Sequence, residues 1–135
     1  MKKMNKRGFT LIELLAIIVI LAIIAVITVP IILNIIENAR VGAARSSALG
    51  YADAIKLAYV ESQYNQNSAS SATGIAVQAT IGNSATTLYV HKEGSNVTCS
   101  GIEILSDGTL HINSCTVGNY TFGDYRNGKF NTDNN

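Results

Sequence analysis

The chain has 135 residues, enough for one small domain plus an extra element, and ten basic against nine acidic residues leave it at a formal +1. Without residues 1–8 the balance is six basic to nine acidic, a net charge of −3, which argues against a nucleic-acid-binding surface, so no direct nucleic-acid partner is expected. The 47% apolar content is unevenly spread: one greasy segment precedes about 100 residues rich in Ser, Thr, Asn, Gly and Tyr.

The chain opens with Lys2, Lys3, Lys6 and Arg7 and no acid among them. Such a basic start places residues 1–7 on the cytoplasmic side of a membrane and the remainder across it. Leu14–Leu33 follows, 20 residues without a charge, about the length that spans a bilayer. This run is too long for a secretory signal, whose apolar region is about 7–15 residues. A plain anchor fits the length. It leaves unexplained the Gly8-Phe9-Thr10 junction and the carboxylate of Glu13.

The stretch "RGFTLIELLAIIVILAIIAVITVP" resembles the N-terminal signature of type IV prepilins and pseudopilins: a glycine, an aromatic residue, Thr-Leu-Ile-Glu, then an unbroken apolar run ending at Pro30. The close match covers Lys6 to Pro30, and the rest of the chain fits only in general layout. The resemblance implies cleavage between Gly8 and Phe9 by a membrane-bound aspartyl prepilin peptidase. It also implies N-methylation of the new amino terminus at Phe9 by the same enzyme. Residues 1–8 would then be a leader peptide, and Glu13 the fifth residue of the mature chain.

Cleavage would create an ammonium at Phe9 and place Glu13 in the first turns of a helix, where the macrodipole favours negative charge. Once such helices bundle, an unpaired buried carboxylate costs several kcal/mol, on the order of 3–5. The Phe9 ammonium of an adjacent copy can neutralise it at one axial stagger only, so the charge would set filament register, as a buried polar residue does in coiled coils. Pairing with the chain's own Phe9 ammonium is the alternative.

Residues 9–33 are apolar all round, as suits a helix in lipid or at the core of a filament. Pro30 lacks an N–H, and a kink or loosened turn is expected between Ala25 and Pro30. Residues 34–64 continue as the amphipathic second half of the helix. Ala48, Tyr51, Ala52, Ile55, Ala58 and Tyr59 recur at spacings of three and four and form a face able to pack on a sheet. Leu49, Leu57 and Val60 fall off that face; either neighbouring copies or flanking loops of the same chain cover them. The helix is expected to end near Tyr64, where the loop "NQNSASSATG" begins.

Residues 65–135 read as that loop and an antiparallel sheet. Ile75–Ile81 and Thr87–His91 are candidate strands. In "TCSGIEILSDGTLHINSC", Ser106-Asp107-Gly108 is a three-residue hairpin loop with Gly108 in the left-handed position. Ile102 then faces Ile112 and Ile104 faces Leu110 on one side, and Glu103 faces His111 on the other. Cys99 faces Cys115 in the same register. An exported domain with two cysteines suggests one disulfide, with two free thiols as the alternative. By strand parity this bridge belongs to the outer or edge face. "YTFGDY" and "GKF" add a last strand and a closing segment, and "NTDNN" reads as a frayed tail.

The expected fold is therefore α+β and pilin-like: a long N-terminal helix whose second half packs on a small antiparallel sheet. No catalytic, cofactor or metal site is expected; His91 and His111 lack zinc-ligand spacing, and there is no nucleophile or phosphate-loop signature. The leading function is a structural subunit, a major pilin, polymerising through its apolar helix after leader cleavage. The resemblance implies as partners other copies of the chain, the prepilin peptidase, an assembly ATPase, a membrane platform protein, minor pilins and, before assembly, lipid. It implies a single-pass precursor in the cytoplasmic membrane, and then a surface filament serving adhesion, motility or DNA uptake. The alternatives are a pseudopilin of a secretion or competence system and a membrane-anchored monomeric binding domain.

Overall fold

Helix α1 runs from Leu11 to Tyr64 without a break at Pro30. The computed structural model describes residues 8–64, 74–91 and 96–134. The leader residues 1–7 and the Asn/Ser-rich loop at 65–73 lie outside them. The chain divides into two compact units, Met1–Ala39 and Arg40–Asn135.

In the first unit every described side chain is exposed except that of Thr28, which is half-buried. Isoleucine, valine and leucine dominate, and β-branched residues are mediocre helix formers in water. Such a segment is stable where backbone groups must pair internally, as they must in hydrocarbon. Thr28 is the one polar side chain between Leu14 and Leu33. Its hydroxyl donates to the Ile24 carbonyl at 2.7 Å, so the helix satisfies it locally.

In the second unit α1 buries Ala44, Ala48, Tyr51, Ala52, Ile55 and Ala58. The spacing is the expected one, extended a turn earlier to Ala44, and Tyr59 is half-buried at its margin. Four of the six are alanines, which let a helix approach a sheet closely. Leu49 is half-buried against the same core, while Leu57 and Val60 remain 67% and 61% exposed.

Six strands form the sheet: β1 (Ile75–Ile81), β2 (Ser84–Val90), β3 (Val97–Ile104), β4 (Leu110–Val117), β5 (Tyr120–Arg126) and β6 (Lys129–Asn134). Their order is β2-β1-β3-β4-β5-β6. All neighbours are antiparallel except β1 and β3, which run parallel. Phe122, Tyr125 and Phe130 form an aromatic cluster, with ring centroids 5.9 Å (Phe122–Phe130) and 5.1 Å (Tyr125–Phe130) apart. The Arg45 guanidinium donates to the Phe130 carbonyl at 2.7 Å and ties this part of the helix to β6.

The β3–β4 hairpin has the register expected from its turn, with Cys99 opposite Cys115, Ile102 opposite Ile112 and Glu103 opposite His111. Gly108 takes φ +83°. Its N–H donates to the Leu105 carbonyl at 2.9 Å, and the Asp107 carboxylate accepts the Thr109 N–H at 2.8 Å.

Three expectations differ from the structure. The disulfide does not lie on the outer face: Cys115 is fully buried, and Cys99 is half-buried against the core. The cause is Gly101, at φ +63° in the middle of β3. A left-handed residue breaks the period-two alternation of a strand. Ile102 and Ile104 face inward on one side of it, and on the other Val97 and Cys99 do. The opposite strand inverts at the same level, between Ile112 and Cys115, and β5 does so between Tyr125 and Phe122. There Asp124 holds φ +51°, which Asp tolerates better than most residues.

The tail expected to fray is instead β6, whose pairing with β5 extends to Thr121 opposite Asn134. The Asn131 amide donates to the Asp124 carbonyl at 3.0 Å and to its carboxylate at 3.2 Å. With the Phe130 ring buried alongside, this fixes a segment of low strand propensity. β2 starts earlier than expected, at Ser84, directly after a Gly82-Asn83 turn that pairs Ile81 with Ser84, and ends at Val90, so His91 lies beyond it.

Candidate functional site

The residues singled out at the N-terminus occupy one short, solvent-exposed region. Gly8, Phe9 and Thr10 precede α1 and are not helical. Phe9 is 82% exposed, and a Cβ placed on Gly8 would meet nothing within 4 Å. The helix starts at Leu11, and Leu14 N–H donates to the Thr10 carbonyl at 3.2 Å.

Thr10 and Glu13 cap this terminus reciprocally. Glu13 N–H donates to the Thr10 hydroxyl oxygen at 3.3 Å. The Glu13 carboxylate accepts the Thr10 N–H at 3.4 Å and lies 3.5 Å from the Thr10 hydroxyl. This is a capping box, in which two otherwise orphaned backbone donors are satisfied at once. Its signal, T-x-x-E before an apolar run, stands in Thr10-Leu11-Ile12-Glu13. The carboxylate therefore has a partner within its own chain. It also sits in the first turn, where the helix dipole favours it.

From Leu11 onward the large apolar side chains stand unpartnered as far as Ile36, for example Leu15 at 56%, Ile24 at 52% and Leu33 at 61% exposed. The segment is long and apolar enough to cross a membrane. Residues 3–29 match the family model described as the prokaryotic N-terminal methylation motif. The chain carries the N-terminal signature of type IV pilins and pseudopilins. The long helix and the six-stranded, mostly antiparallel sheet make an α+β, pilin-like arrangement. No curated protein and no solved structure is significantly similar to the chain.

The other sequence-selected residues lie elsewhere. Pro30 is inside α1. Cys99 and Cys115 form a disulfide, with Cα atoms 4.1 Å apart. His111 is half-buried on β4 opposite Glu103. Among the described residues no group of three or more His, Cys, Asp or Glu side chains could hold a metal ion.

The second unit contains an open cleft of about 420 Å³ where Lys56 of α1 meets two hairpin loops, lined by Asp107, Thr109, Tyr125 and Asn127. The Lys56 ammonium lies 5.4 Å from the centroid of the Tyr125 ring and 3.7 Å from the Asp53 carboxylate. A hydrogen bond with the Tyr125 side chain, above all, holds its pKa above the usual lysine value. Lys56 on α1 thus sits over the Tyr125 ring of β5.

Proposed function

We propose that this chain is a structural subunit, a major pilin, of a type IV pilus. The observation that carries it is the capped Thr10–Glu13 terminus leading directly into an apolar helix segment whose side chains have no partner in the chain. Such a surface is stable only in lipid or against copies of itself.

In this reading residues 1–8 are the leader, cut between Gly8 and Phe9, and Phe9 is then methylated. The segment 9–33 anchors the precursor in the cytoplasmic membrane with its start on the cytoplasmic side, and later forms the filament core. Pro30 supplies the place where the helix loosens as subunits pack. On entry into the filament, Glu13 meets the Phe9 ammonium of an adjacent copy and sets the axial stagger. Leu57 and Val60, exposed on the second half of α1, contact neighbouring subunits. An assembly ATPase, a platform protein and minor pilins complete the machinery, and the fibre acts at the cell surface.

Negative-stain microscopy of cells with the chain as their sole subunit tests this. Glu13→Ala is expected to leave few or no filaments, and normal filaments would remove the register role. A pseudopilin is the second reading, since the methylation motif is common to both groups. A major pilin dominates the protein sheared from cells, whereas a pseudopilin does not.

A further inference from the structure

The geometry points to the Thr10–Glu13 capping box as a positioning device for leader removal: it ends the helix at Leu11 and thereby keeps the Gly8–Phe9 bond in open backbone. This rests on the leader assignment proposed above and gives Thr10 a role in it.

A helix, once nucleated, tends to add residues at its ends, because each brings another hydrogen bond. That tendency is stronger beside a membrane, where an orphaned N–H has little water to turn to. The first turn of α1 would recover partners by winding back through Phe9. The cap removes the incentive. The Thr10 hydroxyl takes the Glu13 N–H at 3.3 Å, and Glu13 takes the Thr10 N–H at 3.4 Å. Gly8 and Phe9 consequently lie outside the helix, exposed and uncrowded.

The chemistry needs that placement. Water must add across the Gly8–Phe9 amide, leaving a carboxylate on Gly8 and an ammonium on Phe9. An endopeptidase holds such a bond as extended chain, using main-chain hydrogen bonds of the kind formed in strand addition. Were the helix to include Phe9, the Gly8 carbonyl would be taken by the Ile12 N–H and the bond held in helical rather than extended backbone. Thr10 acts here as a positioning residue, distinct from the part Glu13 takes in assembly. A glutamine at 13 also completes a capping box, so cap and charge separate experimentally.

The test uses full-length precursor in membranes containing the peptidase, with initial cleavage rates read from the loss of Met1–Gly8. Thr10→Val is expected to slow cleavage about five-fold, the factor equivalent to the ~1 kcal/mol a lost N-cap typically costs. Thr10→Ser is expected to restore the rate, and Glu13→Gln to stay near wild type. Amide exchange of the full chain in micelles supplies a second readout, independent of any contact between Thr10 and the enzyme: Thr10→Val should slow exchange at Ile12, whose N–H would gain the Gly8 carbonyl once the helix winds back through Phe9. Cleavage of Thr10→Val at the wild-type rate overturns the proposal, as does unchanged exchange at Ile12. A wild-type precursor that is never cut overturns the leader assignment itself, and the proposal with it.

Discussion

Gly101 and Asn113 stand at the same level of β3 and β4, and both strands exchange their inner and outer faces there. At φ +63° Gly101 occupies a conformation that L side chains rarely adopt, and a Cβ on it would fall on the Asn113 side chain. Asp124 and Asn131 continue the line across β5 and β6, each absent from the regular pairing at that level. Gly101→Ala is therefore expected to lower stability by about 1–3 kcal/mol through the backbone alone, with steric overlap added. Adding Asn113→Ala should recover part of the loss, leaving the φ cost. Denaturant midpoints of the single and double variants check this.

The face exchange brings the Cys99–Cys115 disulfide against the core. The cysteines are separated by 16 positions, and closing a loop of about that size is worth about 3 kcal/mol. The Cys99→Ala/Cys115→Ala pair is expected to lose an amount of that order in urea unfolding. Serine at 115 should cost more than alanine, because Cys115 is fully buried and a hydroxyl there would need a new partner.

Acid should weaken the fold through exposed carboxylates. The Arg126 guanidinium, 2.6 Å away, and then Asn131 hold the Asp124 carboxyl below its usual range. The Thr109 N–H does the same for Asp107. Both folded-state values lie below the unfolded ones, so their contribution is complete above about pH 4 and is lost as pH falls through the folded values. Unfolding midpoints measured from pH 7 to pH 2 should show no slope from these groups near neutrality and a fall in the acid limb. Asp124→Asn, which still tolerates φ +51°, should flatten part of that fall.

Leu57 and Val60 separate folding from assembly. Both are exposed, and substitutions at exposed sites usually change stability by less than about 0.5 kcal/mol. Leu57→Glu and Val60→Glu are expected to melt like the wild type in detergent yet to reduce the fibre yield on cells. Full fibre yield would remove these residues from the subunit contacts.

Local chemistry was legible in the sequence where one interaction dominates. The spacing of Ala48, Tyr51, Ala52 and Ile55 marked the buried helix face, and Ser106-Asp107-Gly108 fixed the register that puts Cys99 opposite Cys115. The capping box is equally local, present in the sequence as Thr10-x-x-Glu13, yet Glu13 was expected to meet only the helix dipole and a Phe9 ammonium, so the cap emerged from the structure. The parallel pairing of β1 with β3 was not legible, because strand order depends on packing among segments distant in the chain. Nor was the inversion at Gly101: a single glycine in a strand does not announce the sign of its φ, and parity alone then puts the cysteines on the wrong side. β6 was hidden because Asn and Asp have poor strand propensity; Phe130 and the Asp124–Asn131 contact decide its conformation.

The mass of the intact chain in fibres sheared from cells decides whether leader removal and polymerisation occur together. The expected species is a chain that begins at Phe9 and carries one added methyl group on its amino terminus, recovered as polymer. A chain that keeps Met1–Gly8 and is found only as a lipid-bound monomer, in cells possessing the full assembly machinery, would contradict it.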